Sequence, residues 1–382
     1  MNREAWIAAE LAVLRQQHRL REAPVRSGTT LNFSSNDYLD LAHHPEVIAA
    51  AERALRNDGA GAGASRLVSG TLTLHEELEA RLARLKGYPA SLVFGSGYLT
   101  NLGVIPALVG RDDMIFADRL AHASLMDAAI LSRAELFRFQ HNAADHLDEL
   151  LKNHNGTGRK LVVTESVFSM DGDLAPLSEI AAAAERHGAL LLVDEAHATG
   201  VFGPGGCGLI REYKLEPLVT VSMGTLSKAL GGYGGFVACS ETLRTLLVNH
   251  ARAFIFTTAP PPAVLGAALG ALNVLENNPG WGAELLRRAA VFREQLQFFG
   301  LDTMQSASQI IPLFVGDNAR ALTLADRLRE QGLLVVAIRP PTVPEGTARL
   351  RFSVTLAHRA TDLARAAEII GATMYNQTRP KA

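Results

Sequence analysis

Cysteine is almost missing from this chain. Only Cys207 and Cys239 occur in 382 residues, and they have no metal-ligand spacing. A disulfide-stapled scaffold is thereby excluded, and no zinc ribbon or finger is present to read. Both thiols are expected to be reduced and structural, and no metal site is expected. Charge of one sign is missing too. Lys and Arg number 37 against 39 Asp and Glu, a formal net charge of −2. Nucleic-acid surfaces carry a basic excess or stripe, so that class is set aside. The chain has no apolar run long enough to span a bilayer, and no cationic leader followed by an apolar stretch. A cytoplasmic protein is the expectation. Internal repeats and low-complexity tails are absent as well.

What remains has the composition of an ordinary globular enzyme, 48% hydrophobic and 20% charged. "EAWIAAELAVLRQQHRL" has helical spacing. "LNFSSNDYLDL" reads as a short strand and a turn. "PEVIAAAERALRNDG" reads as a helix with proline near its start and glycine after its end. "TLHEELEARLARLKG" predicts an amphipathic helix with Leu74, Leu78, Leu82 and Leu85 on one stripe. A βα rhythm then sets in, with strands at "ASLVF", "DMIFAD", "KLVVTESV", "ALLLVDEAH", "LVTVSMGTLSKAL" and "GGFVACS". These are continuous apolar runs, which signify burial on both faces and a mostly parallel sheet covered by helices. Past "NNPG" the pattern changes to "IIPLFVG", a helix, "LVVAIRP", a proline-rich turn, "ARLRFSVT" and a last helix. The expected division is an N-terminal segment 1–45, a large α/β domain 46–277 and a smaller α+β domain 278–382.

Lys228 stands alone among uncharged residues in "SMGTLSKALGGYGG". An apolar setting strips solvation from the ammonium and makes the neutral amine accessible, which imine chemistry requires. Asp194 ends the apolar run "ALLLVDEAH", and ligands of open α/β sheets bind at such strand ends. His197 follows three residues later. Taken alone, Asp194 serves equally well as a helix cap, and a lone histidine is more often structural than catalytic. Pyridoxal 5'-phosphate (PLP) enzymes pair an imine-forming lysine with an acid on the pyridine nitrogen, and Lys228 with Asp194 matches that pair. "FGSGYLTN" offers glycines and a helix start for a phosphate. Thr225 and Ser227 beside the lysine, and the pair Thr257 and Thr258, offer hydroxyls. His122, after the strand "DMIFAD", is a candidate to stack on the ring.

Together "NFSSNDYLDL", "GASRLVSGT", "ADRLAHASLMDA", "TESVFSMDGDLAPL", "VDEAHATGVFG", "TLSKALGGYG" and "RPPTVPEGTARLRFS" resemble the α-oxoamine synthases, a family of PLP-dependent enzymes. The resemblance covers nearly the whole chain. It implies an aminotransferase-like fold (fold type I), with a mostly parallel large domain and a small α+β C-terminal domain. It implies condensation of an amino acid with an acyl thioester and loss of carbon dioxide. The C-terminal segment most resembles the branch that joins L-alanine to a pimeloyl thioester, carried on coenzyme A or acyl carrier protein.

Site roles follow from the same resemblance. Lys228 forms the imine and moves protons, and Asp194 pairs with the pyridine nitrogen. His197 and Ser169 sit near the ring hydroxyl, and His122 stacks on the ring. Gly97 and Tyr98 bind phosphate through their amides with help from Thr225. Thr257 and Thr258 reach the phosphate of a neighbouring subunit, which implies a homodimer. Arg351 clamps the amino-acid carboxylate, while Asn36, Arg21, Arg339 and Thr342 are further substrate contacts. Sister synthases share the cofactor residues and are not separated by them. A non-catalytic regulator of this fold would need an added DNA-binding domain. A nicotinamide dehydrogenase would need GxGxxG after the first strand, which "GSGYLT" does not supply.

Overall fold

A computed structural model describes residues 3–23, 25, 30–154 and 156–378. The chain forms two compact units. One comprises Asn36–Ser169 and Leu174–Leu286, and the other Met1–Ser35, Met170–Asp173 and Arg287–Ala382. Residues 1–2 and 379–382 of the expected end segments lie outside the described residues.

The first unit is built on a seven-stranded sheet. Its spatial order is Ala90–Phe94, Gly235–Cys239, Val221–Thr225, Leu190–Asp194, Lys160–Glu165, Met114–Asp118 and Glu135–Phe139. Only Gly235–Cys239 runs antiparallel to its neighbours. Six strands are buried nearly throughout, as their unbroken apolar runs require. The seventh, Glu135–Phe139, is an edge strand with exposed Glu135 and Arg138, and sequence reading passed over it and the helix Ala144–Asn153 that follows. Parallel pairing brings the C-terminal ends of Lys160–Glu165, Leu190–Asp194 and Val221–Thr225 side by side, with Glu165 opposite Asp194 and Asp194 opposite Met223.

Two helices of this unit show how packing overrides local signals. Pro262–Asn277 carries two glycines, each unfavourable for a helix by roughly 1 kcal/mol relative to alanine. Both are needed for close approach to Pro45–Asp58. A Cβ on Gly266 would lie 2.6 Å from Ala54 Cβ, and one on Gly270 would lie 2.8 Å from Ala50 Cβ. Thr73–Lys86 is rotated from the expected leucine stripe. It buries His75, Leu78, Glu79, Leu82, Ala83 and Lys86, and leaves Leu74 and Leu85 half-buried. The rotation is possible because the buried charges have partners. Glu79 accepts from Arg66 Nη1 at 2.8 Å, and Lys86 pairs with Glu195.

In the second unit, Ile310–Gly316, Ala348–Ser353 and Val336–Ile338 form an antiparallel sheet with Ala348–Ser353 at its centre. The stretch read as one strand, "LVVAIRP", divides in two. Leu333–Leu334 pairs parallel with Leu31–Asn32, and Val336–Ile338 pairs with Ala348–Ser353. Phe33 packs between Phe292 and His358, with ring centroids 5.4 and 4.4 Å away.

Two buried histidines predict acid sensitivity. His75 is 0% exposed and accepts from Leu72 N at 3.0 Å, and His358 is 3% exposed and accepts from Thr355 N at 3.0 Å. Burial holds each pKa at about 4 rather than 6.5. Above pH 6.5 both are neutral in the folded and unfolded states. Between 6.5 and 4 the unfolded chain takes up protons that the folded chain refuses, so stability falls as pH falls. The full loss is on the order of 3 kcal/mol per histidine. Thermal melts of the parent and His358→Asn proteins across this window check the sign. The variant is expected to have the flatter profile, and parallel profiles would refute the assignment.

Candidate active site

Lys228 sits on the turn after Val221–Thr225 and is half-buried. Its Nζ lies 3.0 Å from His197 Nε2. On the other side of that ring, Nδ1 lies 2.7 Å from the Tyr38 hydroxyl, which donates to Asn36 Oδ1 at 3.2 Å. One proton order consistent with all three bonds starts from the amine as donor. Lys228 donates to Nε2, Nδ1–H donates to Tyr38, and Tyr38 O–H donates to Asn36. Tyr38 is fully buried and is not among the residues that the sequence pattern singles out. Nothing local marks it, because its partner is 159 residues away.

Asp194 is 6% exposed. Its Oδ1 accepts from Ala196 N at 2.9 Å and its Oδ2 from Asn101 Nδ2 at 3.1 Å. The next residue, Glu195, does different work. Its carboxylate pairs with buried Lys86 and accepts from Ile210 N at 3.0 Å and Ser222 Oγ at 3.3 Å. Of the two acids, Glu195 is therefore already engaged within the protein.

His122 caps the helix Ala123–Ser132, its Nδ1 accepting from Ser124 N at 3.2 Å. The backbone N–H of His122 donates to Glu165 Oε1 at 2.7 Å. Solvent reaches the ring, yet protein surrounds it closely enough that desolvation lowers its pKa, against the opposing charge of Asp194. Burial, and then the neighbouring Asp194, push the pKa of Glu165 well above the usual carboxylate range. Glu165 is a second residue that the sequence pattern does not single out.

The helix Gly97–Leu108 starts beside the lysine turn, capped by Ser96. The first-turn amides of Gly97 and Tyr98 have no intrahelical acceptor. A Cβ on Gly97 would lie 3.6 Å from Thr225 Oγ1, and one on Gly235 would lie 2.7 Å from Gly97 N. The backbone is thus bare and close-packed where the glycines stand. Thr225 Oγ1 lies 2.7 Å from Ser227 Oγ and donates to Gly234 O at 2.8 Å. Backbone donors at a helix N-terminus beside neutral hydroxyls fit a phosphate, and Lys228 with Asp194 fits the ring of PLP. Tyr98 is 43% exposed, with its hydroxyl on Asp127.

The remaining expected residues fall in three places. Ser169 is buried at the end of the segment Asn36–Ser169. Thr257 and Thr258 lie on a loop whose Thr258 bridges to Ser65. Arg21, Arg339, Thr342 and Arg351 belong to the second unit. There Arg21 Nη2 donates to Thr342 Oγ1 at 2.8 Å, and Arg339 holds the carbonyls of His18 and Leu20. Arg351 is 7% exposed in Ala348–Ser353, with Nη1 donating to Ser353 Oγ at 2.9 Å. Among the described residues no group of His, Cys, Asp and Glu is arranged to hold a metal ion.

A mostly parallel sheet, a lysine on the turn after one strand and an aspartate at the end of the next define a PLP-dependent enzyme of fold type I. The chain belongs to the aminotransferase class I and II family, whose model matches residues 29–370, and within it to the α-oxoamine synthases. It is 49% identical over 373 residues to an 8-amino-7-oxononanoate synthase of Geobacter sulfurreducens, covering 94% of this chain and 95% of that one. It is similar to a solved serine palmitoyltransferase from S. paucimobilis with bound PLP and myriocin. That likeness has a TM-score of 0.90, 32% identity and 98% coverage of both chains. It is also similar to the 8-amino-7-oxononanoate synthase of Francisella tularensis, with a TM-score of 0.79, 29% identity, and 92% and 99% coverage. PLP is the cofactor of this protein.

Proposed function

We propose that this protein carries out the reaction of the 8-amino-7-oxononanoate synthases, the decarboxylative joining of L-alanine to a pimeloyl thioester. The observation that carries it is the identity of 49% across nearly the full length of such a synthase, against 32% to a serine palmitoyltransferase. When bound, PLP supplies an electron sink for negative charge at the α-carbon of the amino acid.

The chain's own residues do the rest. Asp194, itself held by Asn101 and by Ala196 N–H, would hold a proton on the pyridine nitrogen. Lys228 Nζ takes the proton from the α-carbon and later returns one. His197 Nε2 accepts from that amine, and the bonds through Tyr38 and Asn36 keep the histidine in the tautomer that can accept. With PLP bound, His122 would stack on its ring and steady the acyl oxygen. Gly97 and Tyr98 amides, with Thr225, bind the phosphate. Ser169 would serve the ring hydroxyl. Arg351 receives the amino-acid carboxylate, a task for which a planar, permanently charged fork is suited. Asn36, Arg21, Arg339 and Thr342 are further substrate contacts.

The working form is a homodimer in which Thr257 and Thr258 serve the partner's phosphate. Exposed Leu67, Val68 and Phe256 near that loop pair support it, because apolar side chains of this size gain from being covered. A cytoplasmic location is in keeping with helices of which none, among the described residues, is long and apolar enough to cross a membrane.

Steady-state turnover with defined substrate pairs tests the reaction. L-alanine with pimeloyl-coenzyme A, or with pimeloyl-acyl carrier protein, is expected to exceed glycine with succinyl- or acetyl-coenzyme A. The missing methyl of glycine is worth about 1–3 kcal/mol, so glycine should react roughly ten- to a hundredfold more slowly. Faster turnover of glycine with succinyl-coenzyme A would substitute 5-aminolevulinate synthase chemistry. Faster turnover with acetyl-coenzyme A would substitute that of 2-amino-3-ketobutyrate coenzyme A ligase.

A further inference from the structure

Asn101 lies in the first turns of the helix Gly97–Leu108 and is 1% exposed. Its Nδ2 donates to Asp194 Oδ2 at 3.1 Å and to Ser124 Oγ at 2.9 Å. Ser124 Oγ in turn lies 2.8 Å from His122 Nδ1. We propose that Asn101 is a positioning residue that ties the orientation of the Asp194 carboxylate to the orientation and tautomer of His122. The proposal rests on the reading above, in which these two groups face the cofactor ring.

Hydrogen-bond direction settles the order of the chain. A carboxylate only accepts, so the amide must turn its NH2, not its oxygen, toward Asp194. The same NH2 meets Ser124 Oγ, which therefore accepts. His122 Nδ1 already accepts from Ser124 N at 3.2 Å and so carries no proton. The Ser124 O–H must then donate to Nδ1. The ring proton is left on Nε2, and neutral His122 becomes a donor at Nε2. One amide thus aims the acid and sets which nitrogen of the histidine donates.

The amide oxygen supplies a second observation. Asn101 Oδ1 is buried and meets no hydrogen-bond donor among the described residues. Buried acceptors without partners are disfavoured, and residues chosen for packing alone rarely leave one. Here the NH2 bonds dictate the orientation at the expense of the oxygen. A helix-to-helix tie made only for stability would be met as well by an apolar side chain.

Asn101→Ala and Asn101→Ser test this in the PLP-loaded protein, the serine keeping one donor. Thermal melting, the pH midpoint of the cofactor's visible absorbance without substrate, and kcat and KM for alanine are measured together. Asn101→Ala is expected to load PLP, to shift the absorbance midpoint, and to lose roughly ten- to a hundredfold in kcat with little change in KM. That is the scale of one lost hydrogen bond to a charged group. Asn101→Ser is expected to fall between Ala and the parent. Added to Asp194→Asn, the alanine change should shift the midpoint no further, because the partner is already gone. A lowered melting temperature with unchanged midpoint and kcat, in either variant, overturns the proposal and leaves a structural tie. If Asp194→Asn itself leaves the spectrum unchanged, the reading of the site falls and this inference with it. If Asp194→Asn changes the spectrum and neither Asn101 variant does, only the role of Asn101 falls.

Discussion

Lys228→Ala is expected to reduce turnover by at least roughly a thousandfold, the scale for removing a group that is both nucleophile and proton carrier. The fold should survive. Lys228 is half-buried on a turn, and the strand Val221–Thr225 before it is anchored by pairing on both sides. His197 loses a donor but keeps Tyr38. PLP should still bind through its phosphate, yet borohydride should no longer fix it to the protein. In the parent, borohydride reduction and peptide mapping should place the cofactor on Lys228. The alternatives are weak on structural grounds. Lys86 is 1% exposed and paired with Glu195, and Lys160 donates to the Leu151 carbonyl at 3.0 Å on the far side of its strand from the site end. A label on Lys86, Lys152, Lys160 or Lys214 would overturn the assignment.

Asp194→Asn is expected to lose on the order of a hundredfold or more in kcat while changing stability far less. An amide does not hold a proton on the pyridine nitrogen, so the electron sink weakens. Asparagine can still accept from Ala196 N through its oxygen. Its NH2 would face the NH2 of Asn101, and one of the two amides must turn, which limits the stability loss to about the worth of one hydrogen bond, roughly 1 kcal/mol. Glu195 offers no substitute acid, since Lys86, Ile210 N and Ser222 already hold its carboxylate. Measured kcat and melting temperature decide the point. Near-parent turnover would show that Asp194 does not face the ring.

Part of this site was open to sequence reading because its signals are local. An uncharged, glycine-rich run around Lys228 and an apolar run ending in Asp194 each lie within about a dozen residues. Desolvation of an amine and burial of a parallel strand are properties of such a neighbourhood. The motifs around Gly97 and His122 were readable as strand ends and helix starts for the same reason. The large unit's sheet follows from its apolar runs, and only the polar edge strand Glu135–Phe139 escaped.

The pairings between distant residues were decided by the tertiary structure alone. Tyr38 meets His197 across 159 residues, Lys86 meets Glu195 across 109, and Asn101 meets Asp194 across 93. Strand order makes these neighbours, and no window of sequence contains both members. The same cause rotated Thr73–Lys86 away from its leucine stripe. The energy of burying Glu79 and Lys86 depends on whether Arg66 and Glu195 stand opposite, not on the helix's own pattern. By itself, then, the sequence determined the apolar strands of the large unit and the local settings of Lys228 and Asp194. Tertiary structure decided which groups hold them in place, because a hydrogen bond or ion pair depends on distance in space, and sheet topology sets that distance.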